Sequence, residues 1–293
     1  MKLFQREQRS LFGEILDWML TPLLLLWPIS LVLTWFVAQS AAGKPFDQAL
    51  EYNVGELAAL VVAVGIAGLV RGFSGFGSAL IFMPVAGAVL PPATAVTVLM
   101  LIEGFGPLPN LPSAIRGADR REVALLIAGF ALALPAGLWA LLTLSVDVFR
   151  WAIFLVCAGM LAAMMRGWRW HGAHNPAVTL GAGVIAGGIG GATGMAGPPV
   201  ILYSLAGTTP AAVVRANLLV FFVLADIILF SALVWTGSVR LSAFWVAGAL
   251  IVPFLLANVA GARLFRPDRE HLFRRLAYAV IAGSAVSGLP IWG

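Results

Sequence analysis

Long apolar runs cut by short polar segments make up most of this chain. Trp18–Ala38 is an uninterrupted apolar run long enough to cross about 30 Å of hydrocarbon. The same criterion predicts spans at Ala93–Leu111, Val123–Leu144, Val148–Met165, Ala211–Trp235, Leu241–Ala262 and Leu276–Trp292. Four apolar pieces are too short to span comfortably: Leu57–Val70, Ser78–Leu90, Ala177–Ile189 and Val200–Gly207. They fall into two pairs, each parted by a glycine-rich stretch, and each pair predicts a broken or re-entrant helix pair.

The two interruptions are copies of each other. Ile66-Ala67-Gly68 recurs as Ile185-Ala186-Gly187, an offset of 119 residues. At that offset Gly72 meets Gly191, Gly75 meets Gly194, Pro91 meets Pro210 and Ser74 meets Thr193. Apolar background does not explain matches at Gly and Pro, which set backbone shape. The division is therefore residues 1–56 (a cytoplasmic N-terminus, an extra transmembrane helix and a polar loop), 57–174 (first repeat) and 175–293 (second repeat). Ala38-Gln-Ser-Ala-Ala also suits a signal-peptidase site, but the length of the run and the acids before it favour a retained helix.

Charge sets the orientation. Arg116, Arg120 and Arg121, then Arg166, then the Arg263–Arg275 segment mark loops on the cytoplasmic side. With the N-terminus inside and each broken pair re-entrant, all three fall inside. Lys44, Arg150 and Arg240 are the exceptions. Each repeat then has a hairpin plus three spans, an odd number of crossings, so the halves are inverted. Counting every short piece as a span instead gives nine helices and parallel repeats, and puts Arg116, Arg120 and Arg121 outside. The expected fold is an all-α polytopic membrane protein, multi-pass in the cell inner membrane.

Composition agrees: 61% of residues are hydrophobic and 11% charged, against about 25% charged in soluble domains. The net charge of +5 comes from loop arginines and does not point to nucleic acid. Cys157 is the only cysteine, which excludes an intrachain disulfide. His171 and His174 lack a third ligand nearby, so no metal site is expected. There is no Gly-Lys-Ser/Thr phosphate loop, and hence no ATP-hydrolysing motif.

Irregular backbone survives in a membrane only inside protein or beside a water-filled cavity. Two broken helices that aim free N–H groups at one gap make an anion site. The substrate-binding candidates are Arg71, Gly72, Ser74, Gly75, Gly77, Gly191, Thr193, Gly194, Gly197 and Pro198. Against this, the glycines also serve tight helix packing, and Arg71 could snorkel to the interface. An arginine at membrane depth normally marks an ion path or a paired site. Asp226 and Glu103, within predicted spans, are the candidates for carrying a coupling proton. Asn217 and Asn258 suit interhelical hydrogen bonds. Gly72-Phe-Ser74-Gly75 also resembles the serine motif of rhomboid intramembrane proteases, but no histidine lies in a span to serve as base.

The stretches Gly68-LVRGFSGFGSALIFMP-Val85 with Pro91, and Gly187-GIGGATGMAGPPVILY with Arg215, resemble the TauE/SafE sulfite exporter family. The resemblance runs from about Leu57 to Trp292. It implies a secondary transporter of a small anion: sulfite, a sulfonate or a related organic anion. It favours export over uptake, and it implies no cofactor and no enzymatic step. The expected partners are that anion, the lipid bilayer and protons. A non-transporting membrane protein, such as an assembly partner, is the alternative from another class.

Overall fold

The computed structural model describes residues 52–104, 106–107, 110–167, 175–204, 209–264 and 270–292. The Trp18–Ala38 helix, Lys44, His171 and His174 lie outside them. The described residues form eleven α-helices: α1 (Val54–Ser74), α2 (Ser78–Val89), α3 (Pro92–Glu103), α4 (Leu111–Gly117), α5 (Arg120–Thr143), α6 (Val146–Met165), α7 (Pro176–Thr193), α8 (Gly197–Ser204), α9 (Ala211–Trp235), α10 (Leu241–Leu264) and α11 (Glu270–Ser287). No strand occurs among them. Six helices, α1, α5, α6, α7, α9 and α10, are long and apolar enough to cross a membrane. The protein is an all-helical, multi-pass membrane protein.

Both breaks exist, but later than the apolar count placed them. α1 runs 21 residues and α7 runs 18, about 31 and 27 Å, so each first arm is span-length on its own. Glycine within a helix does not end it. Asn53 starts α1 with a capping box to Glu56, and the helix continues through Arg71 and Gly72. It stops at Gly75, which takes the left-handed conformation (φ 80°). α7 stops in the same way at Gly194 (φ 72°).

The duplication extends to hydrogen bonds. The Gly75 N–H donates to Arg71 O at 2.7 Å, and the Gly194 N–H donates to Gly190 O at 2.7 Å. Ser74 Oγ bonds Val70 O at 2.7 Å; Thr193 Oγ1 bonds Ile189 O at 2.7 Å. Phe76 N and Met195 N then point at those hydroxyls, at 3.4 and 3.3 Å. Every pair keeps the 119-residue offset.

Ala93–Leu111 is not one span. α3 ends at Glu103 after 12 residues, and Gly104, Gly106 and Pro107 leave the helix. Pro107 has no N–H to return to the carbonyl of Glu103, so the ladder cannot continue. Part of the loop expected at Ser113–Glu122 is helical: it holds α4 and the start of α5. Asp119 caps α5 by accepting from Arg121 N and Glu122 N. Asn217 ties that cap to α9: its Oδ1 accepts from Asp119 N at 2.7 Å and its Nδ2 donates to Glu122 at 3.0 Å. Asn217 is therefore interhelical glue, as its position suggested.

Glycines set the closest approaches. α1 packs on α10 and α7 packs on α5, so each glycine helix lies against a helix of the other half. A Cβ on Gly72 would sit 2.1 Å from Asn258 O, and one on Gly187 would sit 2.2 Å from Phe130 O. Those neighbours are backbone and cannot step aside. Gly187→Ala is expected to push α7 off α5 and cost about 2–3 kcal/mol, read as a lower melting temperature in detergent. Gly181→Ala, where a Cβ meets nothing within 4 Å, is the matched control with little change.

Arg150, an exception to the charge rule, has a local role. Its Nε donates to Gly288 O at 3.0 Å and its Nη2 to Leu289 O at 2.8 Å. A cation on the free carbonyls at the end of α11 is favourable whatever side it lies on.

Candidate functional site

The two breaks face one cavity of about 80 Å³. At roughly 10–15 Å³ of such space per water, that admits several waters or one small ion. Arg71 and Gly75 reach it from the end of α1, Gly77 and Ser78 from the start of α2, and Glu103 from the end of α3. Gly194 and Met195 reach it from the second break, Gly197 and Pro198 from α8, and Phe222 and Asp226 from α9. Eight of the twelve residues expected to bind substrate or carry protons thus line one space: Arg71, Gly75, Gly77, Glu103, Gly194, Gly197, Pro198 and Asp226.

The other four hold the frame. Gly72 and Gly191 sit in the α1–α10 and α7–α5 contacts. Ser74 Oγ lies between Val70 O and Phe76 O, at 2.7 and 2.6 Å, and Thr193 locks the second turn in the matching way. Gly75, Gly77 and Gly194 adopt φ of 80°, 92° and 72°, which side chains resist. The glycines therefore divide by role: packing in the helices and conformation at the turns, while Gly197 lines the cavity with room for a Cβ at ordinary contact distance.

Arg71 does not snorkel. Its Nη1 lies 2.8 Å from Glu103 Oε2 and donates to Ser78 Oγ at 3.1 Å. The Ser78 hydroxyl donates in turn to Glu103 Oε1. Arginine, serine and glutamate form a closed ring, and the Arg71 and Glu103 side chains are each 18% exposed, on the cavity side. Gly106, just past the end of α3, runs beside the guanidinium. Glu103 therefore sits at a helix end, not mid-span as the apolar run implied. Asp226, on α9, is half-buried and lines the same cavity.

Among the lining residues missed from sequence, Ser78 and Phe222 bear most on the site. Ser78 falls just after the break, at the first position of α2. Phe222 gives no chemical signal alone. The repeat offset would have exposed both, because it pairs Ser78 with Gly197 and Glu103 with Phe222.

Two span-length helices that end in matched left-handed glycine turns around one cavity, lined by an arginine, a serine and two carboxylates among apolar residues, define a membrane transport protein with an internal duplication. The chain matches the sulfite exporter TauE/SafE family over residues 60–288 and belongs to it. Residues 23–71 are also similar to the N-terminal segment of two-component sensor kinases. No curated protein and no solved structure matches the chain. Membership makes the chain a membrane transporter with a small-molecule substrate, housed in a lipid bilayer.

Proposed function

We propose that the protein is a secondary transporter that exports a small anion, such as sulfite, a sulfonate or a related organic anion, across the inner membrane. Its two repeats, 57–174 and 175–293, are inverted relative to each other, with the N-terminus in the cytoplasm. The paired turns and the exchange of partner helices between halves support a duplicated architecture of this kind. Charge placement supports the orientation: exposed Arg116, Arg120, Arg121 and Arg166 flank the same ends of α5 and α6, whose opposite ends carry exposed Trp139 and Trp151. Basic cytoplasmic ends and interfacial tryptophans are the expected pattern.

The observation that carries the reading is the Arg71–Ser78–Glu103 ring in the cavity wall. Arg71 is the anion's counter-charge, and Glu103 is the group the anion displaces from it. The lining holds one arginine and two carboxylates, Glu103 and Asp226. Like charges 4 Å apart in such surroundings repel by about 4 kcal/mol. An anion therefore binds Arg71 when Glu103, Asp226 or both have taken up protons, so anion and proton cross together, and export is driven by the anion's own outward gradient.

Counterflow in proteoliposomes tests the reading. Labelled sulfite or methanesulfonate should exchange across the membrane in an Arg71-dependent way. Absence of flux for every member of a broad anion panel would favour a non-transporting role. Export and uptake separate by imposing a pH gradient of either sign on oriented vesicles.

A further inference from the structure

The cavity has two chemically different walls, and the duplication shows how they arose. Each polar member of the ring has an apolar counterpart 119 residues on: Gly190 for Arg71, Gly197 for Ser78, Phe222 for Glu103. Two of these counterparts, Gly197 and Phe222, line the same cavity from the other side, beside Met195 and Ile201. Backbone donors follow the same division. The start of α2 offers the N–H groups of Ala79 and Leu80, whereas their counterparts in α8 are Pro198 and Pro199, which have none. A Cβ on Gly197 would lie 3.5 Å from both the Phe222 ring and the end of Ile201, so that wall is closely apolar. Its one ionisable group is Asp226, one turn along α9 from Phe222, and a carboxyl does not attract an anion's charged end.

A bare oxyanion presents oxygen in most directions and leaves that wall unmatched. Resting on the reading that this cavity holds the transported anion, the geometry points to a substrate with one charged end and one apolar end. It is a short-chain organic monoanion, an alkyl sulfonate or carboxylate, with its head on Arg71 and Ser78 and its tail on Phe222. Phe222 is the residue that selects for the tail.

The test uses the full chain in proteoliposomes, with counterflow of labelled ethanesulfonate. Sulfite and the methane-, ethane-, propane- and butanesulfonates serve as competitors. Inhibition constants should fall by up to about fourfold per added methylene until the cavity is filled, with sulfite the weakest competitor. Phe222→Ala should bring the butane-to-methane ratio toward one. Gly197→Ser, which restores the hydroxyl of the first repeat and fits at ordinary contact distance, should do the same, so the result does not hang on one variant folding. Equal constants along the series overturn this inference, as does sulfite binding tightest. Arg71-dependent flux in either case leaves the reading of the site intact. No counterflow with any of these anions, sulfite included, overturns the site reading itself.

Discussion

Arg71→Gln lowers anion flux about 100-fold or more in the expected result, with a matching loss of binding. Hydrogen bonds to a charged group contribute about 1.5–3 kcal/mol each, and Arg71 is the only cation lining the cavity among the described residues. Removing it also strands Glu103, which loses its partner at 2.8 Å, so the single variant should be less stable as well. The double variant Arg71→Gln/Glu103→Gln separates the effects. It should recover most of the thermal stability and none of the transport. Arg71→Lys should recover little flux, since an ammonium lacks the planar pair of donors that a guanidinium presents to an oxyanion. Normal transport in Arg71→Gln would remove the anion-site reading.

The second large effect is expected at Glu103. In the native chain, an anion that enters with one proton binds tenfold more tightly for each unit the pH falls, over the range in which that proton is taken up. Glu103→Gln removes the competing charge while keeping an acceptor for Arg71. Anion affinity at neutral pH should therefore rise about 10–100-fold, the pH dependence should flatten, and a pH gradient should no longer drive accumulation. Binding tightens while coupled transport is lost, a combination that simple misfolding does not produce. If Glu103→Gln keeps its pH dependence and Asp226→Asn loses it, the proton resides on Asp226. A dependence unchanged in both variants ends proton coupling. Binding isotherms at several pH values, paired with pH-jump flux assays, give the readout.

The sequence by itself determined the class, the duplication and, to within about one helical turn, the places of the breaks. Long apolar runs must be helices in lipid, because only helices or closed barrels satisfy their own backbone there. A gapless match at Gly75/Gly194 and Ser74/Thr193 identified the turns, since left-handed backbone and a local hydroxyl are requirements written residue by residue. Asn217 was legible as glue for a similar reason: a buried amide must find partners. Tertiary structure decided what hydropathy cannot encode. Gly72 and Gly191 look like Gly75 and Gly194 in the sequence, yet they serve helix contacts, because the difference lies in which neighbour comes within 3 Å. The end of α3 at Glu103 was hidden in an apolar run, where Gly104 and Pro107 outweigh hydrophobicity. The ring of Arg71, Ser78 and Glu103 joins the ends or beginnings of three helices and closes over the chain between Arg71 and Glu103. Charges alone reveal no such pairing, because an ion pair depends on distance in the fold and not on order in the chain.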